Sequence, residues 1–279
     1  MREWANTHSD RPRAAVYTMG ALHDGHLQLV REAKTYVSAR TGKDPYVIAS
    51  IFVNPTQFNN QDDLEKYPRT LEQDLEMLSS AGVDVVFTPS FEQMYPDSAA
   101  NVITIEPGPL GDVLEGEGRP GHFRGVLTVV NKLFNITMPN YAMFGEKDYQ
   151  QLTLISLMAA ELNMPIEVVG VPTVRDADGL ALSSRNRRLD DAARGIASRI
   201  PAALSLVKTF VAEGLDVEQS LNRATQYLSE SPEISIQYFV VTGNELQSAP
   251  RHGSARVLIA AEINSVRLID NLAIEIEGA

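Results

Sequence analysis

The chain has 279 residues, with 24 Lys plus Arg against 36 Asp plus Glu, a formal charge of −12 and 44% apolar residues. That length accommodates one large domain or two unequal ones with a sizeable core, and the modest charged fraction of 22% excludes global disorder. The acidic balance argues against a nucleic-acid partner, and the absence of cysteine excludes disulfides, thiolate nucleophiles and Cys-ligated zinc.

No run reaches the roughly 18 uninterrupted apolar residues of a membrane span, and Met1 to Asn6 has no apolar signal core. The expectation is a soluble, cytoplasmic protein with no membrane partner. In chain order, Ala14 to Thr18 reads as a buried strand, followed by a glycine turn and a helix whose inner face carries Leu27, Val30, Ala33 and Val37. Tyr46 to Val53 is a second strand. Thr70 with Gln73 predicts a capping box for a helix over Leu71 to Ala81 that stops at Gly82.

Val83 to Thr88 and Tyr141 to Phe144 are further strands, separated by a helix over Gly125 to Phe134. A helix over Tyr149 to Leu162 and a strand over Ile166 to Val171 close the series. This alternation predicts an α/β parallel sheet whose ligands sit outside the carboxyl ends of the strands. The pattern then changes. Asp190 or Asp191 caps a long helix, a second covers Val217 to Leu228, and Ile234 to Thr242, Arg256 to Ala261 and Val266 to Ile269 read as strands of a separate α+β unit. The boundary falls at 175 to 185, dividing residues 1–176 from residues 177–279.

Five stretches carry chemistry. In Met19-Gly20-Ala21-Leu22-His23-Asp24-Gly25-His26, two imidazoles three apart stand beside unpaired helix amides where a strand hands over to a helix. They suit a nucleotide phosphate, with a metal pair or plain turn histidines as the other readings. Gly145-Glu146-Lys147-Asp148 through Gln151 repeats that placement, with Lys147 to neutralise phosphate and Gln151 to offer an amide. Asn54 and Gln57 offer two more amides at the end of the second strand.

Leu182-Ser183-Ser184-Arg185 sets hydroxyls beside a guanidinium in a polar loop that could close over a nucleotide. Arg119 to Gly125 brings two guanidiniums and a histidine to a helix start. The plain alternatives are solvated junctions, a proline turn and a basic linker. Residues 119 to 194 hold 9 Lys plus Arg against 8 Asp plus Glu, so the acidic excess lies outside them.

Together these stretches, with Ser50 to Phe58, Tyr67-Pro68-Arg69-Thr70, Asp178 to Asn186 and Arg267-Leu268-Ile269-Asp270-Asn271, resemble the pantoate:β-alanine ligase family of the nucleotidyltransferase superfamily, in order over most of the chain. The resemblance implies a Rossmann-like nucleotide- and pantoate-binding domain with a smaller α+β lid, a homodimer, and ATP-driven condensation of (R)-pantoate with β-alanine through pantoyl adenylate, releasing AMP and pyrophosphate. It implies ATP binding by Met19 to His26, with His26 the proton donor, and by Gly145 to Asp148, Val174 and Leu182 to Arg185. Gln57 would hold pantoate and border β-alanine, Gln151 would hold pantoate, and Asn54 and Arg119 would join the substrate site. Mg²⁺ would accompany ATP with few fixed protein ligands, Asp74 being one candidate.

Two departures from the family stand out. Tyr17 replaces a proline before Thr18-Met19-Gly20, and only about thirteen residues precede the first strand, room for a helix but hardly for an extra strand. The competing readings are a plain nucleotidyltransferase and a non-catalytic nucleotide-binding module. Gln57, Gln151 and the 119 to 126 stretch favour the ligase by supplying a polar site for a hydroxy acid.

Overall fold

A computed structural model describes residues 1–59, 61–96 and 102–277. The chain forms two compact units, one of Met1–Glu146 and Gln150–Pro172, the other of Lys147–Tyr149 and Thr173–Ala279.

In the first unit, β1 (Arg13–Thr18), β2 (Tyr46–Ile51), β3 (Val85–Phe87), β4 (Tyr141–Gly145) and β5 (Glu167–Val171) form one parallel sheet in the order β3-β2-β1-β4-β5. Ala14, Ala15, Val16, Val47, Ile48 and Ala49 are wholly buried, as expected of central strands covered on both faces. Burying a side chain such as Ile48 contributes about 1.5–3 kcal/mol. One face packs α2 (Asp24–Thr41) through Leu29, Val30, Ala33 and Val37.

After the short α3 (Gln61–Glu65), the helix α4 (Leu71–Ser80) ends where Gly82 takes a left-handed φ of 74°. Its predicted capping box is absent, because the Thr70 hydroxyl donates instead to Asp74 Oδ2 at 3.1 Å. A capping box forms instead at Ser90 and Gln93, opening the short helix α5 (Phe91–Met94), too short for periodicity to reveal. Further on, α6 (His122–Thr137) and α7 (Tyr149–Glu161) flank β4 in sequence, α6 starting earlier and ending later than its apolar spacing suggested.

The helix α1 (Arg2–Thr7) precedes β1. Arg13 anchors it, donating to the carbonyls of Ala5 at 2.8 Å and His8 at 3.1 Å, while Trp4 stacks on His8 with ring centres 4.3 Å apart. Tyr17 fills its own site, between Phe134 and Phe144, with its hydroxyl 2.7 Å from Thr137 Oγ1.

In the second unit, β6 (Ser235–Gly243), β7 (Gly253–Ile263) and β8 (Val266–Ile276) form an antiparallel sheet covered by α8 (Asp191–Ala197), α9 (Arg199–Ala212) and α10 (Val217–Ser229). Asp190 caps α8 as expected, but the single long helix breaks at Ser198. Pro201 has no N–H to continue the ladder there. By length and composition Asp191–Ala212 could cross a bilayer, yet Ala197, Ile200, Leu204, Val207 and Val211 are buried in this unit's core.

Candidate functional site

The carboxyl ends of β2, β1 and β4 are neighbours in the parallel sheet, and three of the polar stretches begin there. After β1 the backbone makes two consecutive left-handed residues, Gly20 at φ 84° and Ala21 at φ 51°. Glycine is required at the first, since a Cβ would meet Asp74 Oδ2 at 3.0 Å and a side-chain methyl of Ile51 at 3.3 Å. Ala21 is a strained position that needs outside support.

Asp74 supplies that support. It is 1% exposed, and its carboxylate accepts from Ala21 N at 3.0 Å and Leu22 N at 2.9 Å. Both oxygens are therefore occupied by the turn, and Asp74 acts as its latch rather than as an open metal ligand.

The turn delivers His23 to the N-cap of α2 and His26 to its third position, the rings 4.1 Å apart. His23 Nδ1 accepts from Gly25 N at 3.2 Å, and His26 Nδ1 accepts from His23 N at 3.3 Å. A neutral imidazole accepting at Nδ1 carries its proton on Nε2. Both rings therefore present an Nε2–H donor beside the helix N-terminus, a combination suited to an anion. Both are half-buried, and Asp24 between them is exposed.

After β2, Asn54 caps the single turn Pro55–Gln57. Asn54 is 1% exposed; its Oδ1 accepts from Tyr95 at 3.0 Å and Thr56 Oγ1 at 3.0 Å, and its Nδ2 donates to Gln57 Oε1 at 3.3 Å. Burial pushes the Tyr95 phenol above its ordinary pKa, which keeps it a donor. Gln57 in turn reaches Met19 Sδ at 3.0 Å, joining the first and second stretches, while His122 Nδ1 donates to its backbone carbonyl at 2.8 Å.

Asn54 is thus a support for Gln57 rather than an open amide. Gly125 completes the arrangement, because a Cβ there would stand 2.3 Å from Thr56 O. Alongside lies a cavity of about 270 Å³ lined by Thr56, Phe58, Tyr95, Thr104 and Thr128, with Arg124 at its wall bonded to Glu106 at 2.7 Å.

Gly145 ends β4, Glu146 follows it, and Gln151 is half-buried on the first turn of α7. Its neighbour Gln150 is structural: its amide donates to the carbonyls of Leu110 at 2.7 Å and Val113 at 2.8 Å and accepts from Glu115 N at 2.9 Å. Arg119 is half-buried in the turn before α6.

In the second unit, Lys147 has a side chain 18% exposed, 3.9 Å from Asp148 Oδ2. Leu182 N donates to Val174 O at 2.9 Å, closing a small loop whose base is the bridge between Arg175 and Ala181. Ser183 Oγ accepts from Arg185 N at 3.3 Å and caps the turn Ser184–Arg188. Asn186, 8% exposed, ties that turn to Ala181 O at 2.9 Å. Ser183, Ser184 and Arg185 stay half-buried.

Sequence reasoning missed the supporting roles of Asp74, Tyr95 and Asn54. No local signal marks an aspartate whose partners lie more than fifty residues earlier.

A sequence model of the pantoate-beta-alanine ligase family matches residues 1–273. Pantothenate synthetase of Mycolicibacterium smegmatis is 53% identical over 261 residues, covering 94% of this chain and 80% of that protein. The Nocardia farcinica pantothenate synthetase is 52% identical over 264 residues, covering 95% and 80% respectively.

Among solved structures, the Thermus thermophilus pantothenate synthetase matches with a TM-score of 0.88 at 42% identity, covering 97% of this chain and 96% of that one. The pantoate-beta-alanine ligase of Francisella tularensis, complexed with beta-gamma ATP and beta-alanine, matches with a TM-score of 0.78 at 38% identity, covering 97% and 93%. The chain belongs to the pantoate–β-alanine ligase family, the pantothenate synthetases.

Proposed function

We propose that the chain joins (R)-pantoate to β-alanine in two steps at an HxGH-type nucleotidyltransferase site formed around His23 and His26. In the first, a pantoate carboxylate oxygen attacks the α-phosphorus of ATP, giving pantoyl adenylate and releasing pyrophosphate. In the second, the amine of β-alanine attacks the activated carbonyl, loses a proton, and AMP departs with the carboxylate oxygen. A carboxylate becomes an acyl donor only with such a leaving group. The observation that carries this reading is the pair of Nε2–H donors set at the N-terminus of α2 by bonds at both Nδ1 atoms. The beta-gamma ATP and beta-alanine named for the Francisella ligase support it.

Donors fixed in advance stabilise the charge that builds on departing pyrophosphate, without reorganisation at the moment of reaction. His26 serves as proton donor through Nε2, beside His23. Lys147 and Arg185 supply positive charge to the phosphates, and Met19 to Gly25, Gly145, Glu146, Asp148, Val174 and Leu182 to Ser184 line the nucleotide. Gln57 holds pantoate and borders β-alanine, held itself by Asn54; Gln151 and Arg119 complete the substrate contacts. Residues 1–176 act as the nucleotide- and pantoate-binding domain and residues 177–279 as the lid.

Mg²⁺ would enter with ATP. Its coordination would come from the phosphates and water with few fixed protein ligands; among the described residues no group of three or more His, Asp or Glu side chains is placed to hold a metal ion. A cytoplasmic homodimer is what membership in the family implies. The product feeds coenzyme A formation.

The test is AMP and pyrophosphate formation from ATP with pantoate, with and without β-alanine. The reading predicts AMP release that requires both acids for turnover. No AMP above an ATP-only control would refute it.

A further inference from the structure

The Arg267–Asn271 stretch is absorbed by none of the roles above, yet its last two residues are buried polar groups in the middle of β8. Asp270 is 3% exposed and Asn271 is 4% exposed. Consecutive residues of a strand point to opposite faces, so the two side chains serve different partners. Asn271 Nδ2 donates to the backbone carbonyl of Lys147 at 3.0 Å, and its Oδ1 accepts from Arg256 Nη1 at 2.6 Å.

Arg256, 7% exposed, lies over the Tyr149 ring at 3.7 Å, and Tyr149 donates to Asn244 O at 2.8 Å. Lys147–Tyr149 thereby belongs to the second unit although β4 and the rest of α7 belong to the first. On the other side, Asp270 takes both guanidinium nitrogens of Arg175, at 2.7 and 2.9 Å. Arg175 then donates to Gly179 O at 3.0 Å and Asn271 O at 3.2 Å, pinning the loop that leads into Ser183–Arg185.

We propose that Asp270 and Asn271 are positioning residues for the two cations of the second unit: Asn271 sets the backbone of Lys147, and Asp270, through Arg175, sets the loop that presents Arg185. One strand thus holds Lys147 and the Ser183–Arg185 turn at a fixed spacing, so that both meet a nucleotide together. The Asp270–Arg175 pair is bidentate, and Asp270 and Asn271 are themselves buried, which makes the links directional. The proposal rests on the reading that Lys147 and Arg185 act on the triphosphate.

The test is a double-mutant cycle on the full chain, Asn271→Ala with Lys147→Ala, measuring kcat and KM for ATP and for β-alanine. Misplacing a catalytic-site group by about 1 Å can cost up to about 100-fold in rate. Asn271→Ala is expected to lower kcat/KM for ATP about tenfold or more, with KM for β-alanine unmoved, and to add no further loss once Lys147 is alanine. Equal losses in both backgrounds, or a lowered Tm with unchanged kinetics, would overturn it.

If Lys147→Ala alone leaves the rate intact, the reading of Lys147 fails instead, and this is seen without the second substitution. Should Asn271→Ala not fold, Asn271→Asp, which keeps an acceptor for Arg256 and sets a carboxylate oxygen against the Lys147 carbonyl in place of the donor, gives the same discrimination. Asp270→Asn paired with Arg185→Ala tests the other arm by the same criterion.

Discussion

Asp74 Oδ1 lies 2.9 Å from the backbone N–H of Leu22, and its second oxygen lies 3.0 Å from that of Ala21, so one buried carboxylate holds the turn that aims both site histidines. Asp74→Asn keeps the shape but turns an amide NH₂ toward one of those N–H groups. A buried unsatisfied donor costs about 1–3 kcal/mol. Thermal unfolding should show a Tm lowered by several degrees, and kcat/KM for ATP should fall with it; a variant matching the parent in both would remove Asp74 from the role of latch.

His26→Ala should cut turnover about 100-fold or more, the scale of a lost preorganised donor, with only a small fall in Tm from the lost bond to the His23 N–H that helps cap α2. His26→Gln, which returns an N–H donor near the position of Nε2, should recover part of that loss. Steady-state AMP release measures both, and near-normal turnover of the alanine variant would discharge His26.

Gly125→Ala forces a methyl to 2.3 Å from Thr56 O, pushing the start of α6 off the turn that carries Gln57. Overpacking of this kind costs about 1–3 kcal/mol. The KM for pantoate should rise more than the KM for ATP. Equal changes in the two would show that the turn at Gln57 does not read pantoate.

Burial pushes the Tyr17 phenol above its ordinary pKa, with the hydrogen bond to Thr137 opposing it. A phenol harder to ionise when folded contributes its full stability below the unfolded value near 10, and that contribution is lost as pH rises beyond it. Denaturant titrations should therefore show stability falling above about pH 10 more steeply in the parent than in Tyr17→Phe. Tyr17→Pro should destabilise by about 3 kcal/mol or more, since it empties the site between Phe134 and Phe144 and removes a central-strand N–H. Parallel pH profiles for parent and phenylalanine variant would contradict this account of Tyr17.

Much of the fold was legible because buried parallel strands leave uninterrupted apolar runs, as at Ala14–Val16 and Val47–Ala49. The limits were set by long-range partners. From its apolar run, Val266 to Ile269 reads as a strand that ends before the polar pair Asp270 and Asn271; the strand continues to Ile276 because Arg175 and Arg256 satisfy them.

Likewise Thr70 looked like a cap until Asp74, itself committed to Ala21 and Leu22, took its hydroxyl. The histidine turn and the glutamine after β2 were visible as motifs. What holds them was not, since Asp74 reaches Ala21 and Leu22, and Tyr95 reaches Asn54, across separations that leave no spacing in the sequence.

The most direct measurement is exchange of labelled pyrophosphate into ATP in the absence of β-alanine. An adenylate formed at the His23–His26 turn predicts exchange that depends on pantoate and collapses in His26→Ala. Exchange that is absent with pantoate alone, or that requires β-alanine, would contradict a pantoyl-adenylate intermediate and with it the two-step account.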